Sequence, residues 1–130
     1  MTDDFSLATD AVHLTDDLGA HRYLLPTEAA PRTLSDLMSG RLVSVFSYAS
    51  TWDTEERHPT GDELVYVLAG DVDLLTDAGD GERAHRLPCG RAFVVPAGSW
   101  HRVAVREAAT LLFVTPVPAR TEHRAVTKDS

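Results

Sequence analysis

Short runs of apolar and β-branched residues recur along most of this chain, and turn-forming residues separate them. The runs lie about eight to twelve residues apart, and no long helical period interrupts them. The predicted strands of this region are residues 42–48, 63–69, 72–76, 83–87, 91–95, 101–105 and 110–115. Clusters of glycine, proline and aspartate predict tight turns at residues 77–81 and 88–90. This spacing predicts an all-β sandwich or barrel.

The length of 130 residues fits one domain. Within it we predict an N-terminal segment with short strands at residues 1–40, a barrel core at 41–116 and a polar C-terminal tail at 117–130. The N-terminal segment has strand signals at 12–14 and 22–25 and a candidate helical turn at 33–38. We expect the tail to be loosely held, with its Arg120, His123 and Arg124 solvated.

The segment 63–69 differs from a half-buried strand, which alternates apolar with polar residues. After its first residue this segment is apolar on both faces, with Leu64, Tyr66 and Leu68 on one side and Val65 and Val67 on the other. The second face therefore needs cover. We expect a second copy of the chain to provide it in a homodimer, and cover by the N-terminal forty residues is the alternative.

Charge and composition exclude several classes of partner. The formal net charge of −8 disfavours a nucleic-acid partner, because polyphosphate backbones attract positive charge. No apolar run approaches the length of a membrane span. The first ten residues carry three aspartates and no basic residue, unlike a secretory signal, and the lone Cys89 cannot form an internal disulfide. We therefore expect a cytoplasmic protein with no membrane partner.

Two patterns of polar residues and glycines lie at the ends of predicted strands. The first pattern, E-x-H-x4-E-x6-G, begins at Glu56 and ends at Gly70. The second, G-x5-P-x-G-x2-H, begins at Gly90 and ends at His101. Nineteen residues, 71–89, separate the two patterns, which leaves room for one short hairpin.

Together these patterns resemble the two half-motifs of the small single-domain cupin family, over residues 42–115 or so. Glu56 stands where the first motif usually has a histidine, and Val105 stands where the second usually has an asparagine. The resemblance implies a cupin double-stranded β-helix, which is a jelly-roll barrel of the RmlC-like type. It also implies a metal site formed by His58, Glu63 and His101, with Glu56 as the fourth candidate.

The chemistry of the residues supports this site independently. Glu56 and His58 are two positions apart, so on a strand they point to the same side. Glu63 opens the next strand after a turn, and His101 opens another after a proline–glycine turn. Two imidazoles and two carboxylates suit a divalent transition ion such as Fe, Mn, Ni, Co or Zn, and the sequence leaves the choice open.

Other roles are open for each candidate. Either histidine would also serve as a hydrogen-bonded core residue, and Glu63 would also be satisfied by an arginine. Glu56 is a fourth ligand, an unbound general base or a surface carboxylate. We expect its neighbour Glu55 to point the other way into solvent, and Trp100 to face away from His101.

The fold alone does not fix the function. The leading interpretation is a metal-dependent enzyme acting on a small organic molecule inside the barrel, of the dioxygenase, isomerase or lyase type. In it His58, Glu63 and His101 hold the ion, and Glu56 is a ligand or the catalytic base. The alternatives are a non-catalytic cupin module that binds a metabolite or a structural metal, and an accessory protein, such as a cyclase, in a biosynthetic pathway.

Overall fold

The computed structural model describes residues 4–25, 37–118 and 120–126, which form nine β-strands joined by turns and loops. The strands are β1 (Asp10–Leu14), β2 (Ala20–Leu24), β3 (Arg41–Tyr48), β4 (Thr54–Arg57), β5 (Glu63–Asp77), β6 (Glu82–Pro88), β7 (Ala92–Val95), β8 (Trp100–Pro116) and β9 (Glu122–Ala125). The all-β prediction is confirmed. Most of the helical turn predicted at 33–38 lies outside the described residues. No helix in the described ranges is long and apolar enough to span a membrane.

Two long strands, β5 and β8, organise the barrel. The sequence predicts each of them as two short strands, but in the structure each runs continuously, and they pair antiparallel from Leu64 opposite Val114 to Asp77 opposite Trp100. The register shifts between Val67 and Val72, which marks a bulged and bent region. The apolar pattern in the sequence is interrupted at the bend, but the two strands remain paired on both sides of it.

Gly70 allows the bend. Its φ is +86°, a conformation that side chains with a Cβ rarely adopt. A Cβ built at this position would lie 2.3 Å from the carbonyl oxygen of Ala108 on the paired strand. The close approach of the two backbones therefore requires glycine.

The bend brings the two ends of the β5–β8 ribbon together. Glu63 opens β5, whereas His101 pairs with Thr76, which is 13 residues further along the same strand. A straight strand of that length would span about 43 Å at about 3.3 Å per residue. The structure instead places Glu63 Oε1 3.1 Å from His101 Nε2. The ribbon is thus curled back on itself to close the barrel.

The interior of the barrel holds the larger of two apolar clusters. Its buried members are Val65, Val67, Val72, Leu74, Leu87, Val95, Val103, Ala109, Leu111 and Phe113. Most come from β5 and β8, which confirms that one face of residues 63–69 is core. Leu64 and Tyr66 on the other face are half-buried, and Leu68 is exposed.

The polar tail predicted at 117–130 contains β9, which is not among the predicted strands. β9 pairs antiparallel with β4 over four residues, from Thr54 opposite Ala125 to Arg57 opposite Glu122. The expectation of a loosely held tail is therefore wrong for residues 122–125, because backbone pairing ties them to the barrel beside Glu56. A polar strand at a sheet edge buries little apolar surface, so it leaves no hydrophobic pattern to recognise.

Candidate metal centre

Four side chains that the two sequence patterns single out meet at one end of the barrel. Glu56 lies in β4 directly opposite His101 of β8, so both side chains project from the same face of the sheet. His58 follows β4, and Glu63 is the first residue of β5. His58, Glu63 and His101 are buried, and Glu56 is half-buried.

The distances define a compact donor set. One ligand atom each from Glu56, His58 and His101 can be chosen so that all three lie within 4.8 Å of one another. The Glu63 carboxylate bridges the two imidazoles, with Oε2 3.1 Å from His58 Nε2 and Oε1 3.1 Å from His101 Nε2. The structure therefore brings all four sequence candidates together, and their role as metal ligands stays a prediction.

Several buried atoms in this cluster lack a hydrogen bond. His58 Nε2, Glu63 Oε1 and both ring nitrogens of His101 have no hydrogen-bond partner among the described residues. The 3.1 Å contacts between the rings and the carboxylate are close, but they do not align a donor with an acceptor. A buried polar atom without a partner is costly. Lone pairs that converge without pairing fit a cation between them, and imidazole and carboxylate donors suit a divalent transition ion.

The electrostatics of the cluster keep Glu63 ionised. Burial raises the pKa of Glu63, but the His101 and His58 imidazoles outweigh that effect and lower the pKa to about 2. Burial likewise lowers the pKa of His58, and there the carboxylates of Glu63 and Glu56 outweigh it and raise the pKa above its ordinary value. The site thus holds a carboxylate that is negative at neutral pH and an imidazole that binds a proton readily when nothing else competes for it.

Two threonines hold the donors in place. The Thr115 hydroxyl donates to Glu63 Oε2 at 2.7 Å, and Thr121 Oγ1 lies 3.0 Å from His58 Nδ1. The sequence interpretation included neither residue. Alternation along β8 places Thr115 on the same face as buried Phe113, a signal that would have identified it. Thr121 precedes the unpredicted β9 and gave no such signal.

His123 of β9 reaches the same site. The sequence predicts it as a surface residue, and its side chain is indeed 57% exposed. It nevertheless pairs in register with Glu56, and its Nε2 lies 3.4 Å from Glu56 Oε1. His123 therefore contacts the most exposed of the four candidates.

The opposite face of β4 corrects another expectation. Glu55, predicted to be solvated, is 7% exposed and forms an ion pair with Arg124 of β9. Trp100 points away from His101 as expected. Its ring contacts two guanidinium groups, with the centroid 4.5 Å from that of Arg57 and 4.2 Å from that of Arg124. The sequence could not place Arg124 near Glu55, because the two are 69 residues apart.

A cavity of about 410 Å³ opens onto the donor cluster. Its lining residues are Leu25, Leu42, Ser44, Phe46, Tyr48, Trp52, Glu56, His58, Glu63, Phe113, Thr115, Val117, Thr121 and His123. The Trp52 ring lies 5.4 Å from Tyr48, 6.3 Å from Phe113 and 6.1 Å from His101, centre to centre. Burial, followed by the charges of Glu56 and Glu63, raises the pKa of Tyr48, so its hydroxyl stays protonated.

The comparisons with known proteins agree with this architecture. The family model described as "Cupin_2: Cupin domain" matches residues 47–115, more than half of the chain. None of the curated proteins matches the sequence.

Solved structures with the same fold include an oxidase, a dioxygenase and an Fe(II) enzyme. A recombinant oxalate oxidase in complex with glycolate is 18% identical with a TM-score of 0.53, over 63% of this chain and 45% of that one. Hydroquinone 1,2-dioxygenase from Sphingomonas sp. TTNP3, with 4-hydroxybenzoate bound, is 16% identical with a TM-score of 0.51, over 58% and 59%. The Fe(II) enzyme HppE in complex with substrate is 19% identical with a TM-score of 0.50, over 57% and 41%. The match thus spans about half of each of these chains, and at such identity the likeness concerns the fold.

Proposed function

Because this chain belongs to the cupin family, we propose that it is a metal-dependent enzyme that acts on a small organic molecule inside the barrel. The observation that carries the proposal is the set of buried, unpartnered nitrogen and oxygen donors at the end of an apolar cavity. His58, Glu63 and His101 would hold a divalent transition ion, such as Fe, Mn, Ni, Co or Zn. When bound, such an ion supplies Lewis-acid or redox chemistry to a substrate oxygen.

The protein residues bind and orient the substrate. The rings of Tyr48, Trp52 and Phe113 form an apolar wall that excludes water and favours a flat, apolar molecule. No lysine or arginine is among the cavity residues that the structure describes, while Glu56 and Glu63 add negative charge. A substrate with an anionic body would therefore be repelled unless its charge lay at the ion. We expect a neutral molecule with one oxygen that points at the donor cluster.

Glu56 is the residue placed to act on a substrate proton. It lines the cavity and is half-buried, and its Oε2 lies 3.9 Å from His58 Nε2. As a ligand it would be the fourth donor. As a general base it would accept a proton from a molecule held against the aromatic wall.

The test begins with elemental analysis of the purified protein. We expect about one transition ion per chain in the native protein and its loss in His58→Ala and His101→Ala. His21→Ala is the matched control, since His21 is exposed on β2 and distant from the cluster. A native protein without metal, and without thermal stabilisation by added Mn, Fe, Ni, Co or Zn, would contradict the proposal. With metal present, oxygen uptake during turnover separates a dioxygenase from an isomerase or lyase, and ligand binding without turnover indicates a non-catalytic module.

We propose further that the chain works as a cytoplasmic homodimer. The outer face of the sheet carries an apolar strip in register across three strands, in which Val94 and Val114 flank Leu64 and Leu112 flanks Tyr66. Exposed Val94 and Leu68 lie on the same strip. A second copy would cover this strip, and the exposed thiol of Cys89 fits a reducing compartment.

A further inference from the structure

Strand β9 and the residue before it lie beyond residues 47–115, the part of the chain that matches the cupin domain, yet they contact two of the four candidate ligands. We propose that this C-terminal strand completes the metal centre, with Thr121 as the positioning residue for His58 and His123 as the positioning residue for Glu56. The inference rests on the proposed metal site.

Thr121 determines which nitrogen of His58 is available. A neutral imidazole carries its proton on one nitrogen and a lone pair on the other, and only the lone pair binds a metal. Thr121 Oγ1 lies 3.0 Å from Nδ1, and a hydroxyl oxygen can accept the Nδ1 proton. That leaves the lone pair on Nε2, the atom that faces Glu63 and Glu56. The contact thereby fixes both the tautomer and the orientation of the ring.

His123 holds Glu56 by its outer oxygen. Its Nε2 lies 3.4 Å from Oε1, while the other carboxylate oxygen, Oε2, lies 3.9 Å from His58 Nε2. Because Glu56 and His123 are direct cross-strand partners, their side chains project side by side from the same face. A ring on Oε1 restrains the carboxylate to present Oε2 to the donor cluster.

The alternate residues of β9 anchor it on the other face. Arg124 forms an ion pair with Glu55, whose burial makes an unpartnered carboxylate costly. Glu122 accepts a hydrogen bond from Arg57 at 2.5 Å, and the Trp100 ring contacts the guanidinium groups of both Arg57 and Arg124. Strand β9 thus projects its charged residues from one face and His123 from the other, and the contacts of the charged residues fix it to the barrel.

The first experiment titrates the apo-protein with Co²⁺ and records the visible absorption spectrum. Thr121→Val should weaken Co²⁺ binding by about 10- to 100-fold and alter the spectrum, because the ring of His58 is no longer held. Thr121→Ser keeps the hydroxyl and should restore wild-type affinity and spectrum. Thr60→Val is the matched control, since Thr60 donates to the carbonyl of Pro118 and so holds the same C-terminal segment without touching a ligand.

The second variant, His123→Ala, should weaken Co²⁺ binding and change the spectrum in the same direction, with His21→Ala unchanged. Wild-type affinity and spectrum in both Thr121→Val and His123→Ala, with binding abolished by His58→Ala, would overturn the inference and leave the proposed metal site standing. A wild-type protein that binds no Co²⁺ would overturn both.

A measurement on the wild type keeps the inference testable if a variant fails to fold. Nitrogen-15 NMR of the histidine rings in the Zn²⁺-loaded protein reports which nitrogen carries the proton. We expect the proton of His58 on Nδ1. A His58 ring protonated on Nε2, or one whose Nδ1 carries no proton, would overturn the role of Thr121.

Discussion

As a ligand, Glu56 would replace the neutral donor that the cupin motif usually has at this position with a charged one. Three imidazoles and one carboxylate would leave a divalent ion with a net charge of about +1, whereas two imidazoles with Glu56 and Glu63 bring the site to about zero. A site of zero net charge attracts anions less and is a weaker Lewis acid. It also favours harder ions such as Mn or Fe over ions that prefer nitrogen. This agrees with a cavity lined by two carboxylates and by apolar rings.

Substitution of Glu56 separates its two proposed roles. If Glu56 is a ligand, Glu56→Gln should weaken metal binding, and Glu56→His should restore it while shifting preference towards nitrogen-loving ions. If it is a base, Glu56→Gln should keep the metal and lose turnover. Calorimetric titration with Mn²⁺ and Zn²⁺ checks both cases. Unchanged affinity, preference and turnover in the two variants would mean that Glu56 has no part in the site.

The raised pKa of His58 predicts opposite pH trends in the apo- and metal-loaded protein. A proton on His58 pairs with Glu63 and stabilises the apo-protein below about 6.5, and this stabilisation disappears as pH rises through the folded pKa. Metal binding needs the neutral ring, so metal affinity should fall as the pH drops through the pKa of His58 and below it. The lowered pKa of Glu63 adds stability above about 4.5 that is lost as pH falls towards 2.

Thermal unfolding of both forms at several pH values checks these trends. The apo-protein should be most stable between about pH 4.5 and pH 6.5. The gain in melting temperature on adding Zn²⁺ should become smaller as the pH falls below about 6.5. In His58→Ala both trends should be weaker. A Zn²⁺ effect that does not vary with pH would argue against imidazole ligands.

The sequence identified the side chains that cluster at the end of the barrel but not the residues that contact and support them. His58, Glu63 and His101 could be predicted because each occupies a fixed position relative to a turn and a strand start. Thr121 and His123 could not, because their contacts with residues 58 and 56 depend on a polar edge strand that no periodicity marks. The burial of Glu55 was missed for the same reason, since its partner Arg124 lies on that strand.

The bent strands β5 and β8 show how one residue controls an element. The sequence pattern divides each strand in two, yet the paired strands continue through the bend, because Gly70 adopts a positive φ inside β5. The prediction of strands was thus sound in type and position but not in continuity. Local patterns do not record whether hydrogen bonding resumes beyond a glycine.

Replacement of Gly70 tests the importance of this bend. Gly70→Ala should destabilise the protein by more than about 1 kcal/mol, because the positive φ is strained and the new Cβ would meet the backbone of Ala108. Metal affinity should fall as well, since the bend sets the distance between Glu63 and His101. Gly79→Ala is the control, with a positive φ but no atom within 4 Å of the added Cβ. Chemical denaturation and Co²⁺ titration measure both effects; equal loss in the two variants would contradict the role of the close approach.

The proposed homodimer would form through the outer face of the sheet. The strip that contains Leu64, Tyr66 and Val94 is apolar and only partly covered within the chain. An apolar strip of this kind is typical of an interface rather than of free surface. Two-fold pairing of identical faces is the commonest arrangement among homo-oligomers.

Light scattering coupled to gel filtration checks the dimer. We expect twice the chain mass of 14.2 kDa for the wild type at micromolar concentration. Val94→Lys should shift it to the monomer while the fold is kept, because Val94 is already 55% exposed and a charge at a dry interface lacks a partner. Leu18→Lys, at a residue far more exposed and on a distant loop, should remain dimeric. A monomeric wild type would refute the assembly.

The curled ribbon would also give the proposed metal centre a mechanical role. Glu63 and His101 belong to opposite ends of one paired ribbon, so an ion held by both would fasten the ribbon into a ring with Gly70 at the far side. Such a cross-link would limit how far this end of the barrel can open, and it would leave the bend at Gly70 unchanged. Loss of the ion would then increase motion at the end of the barrel near Glu63 and His101 before it affects the bend at Gly70. The residues proposed to hold the ion would thus also control access to the cavity.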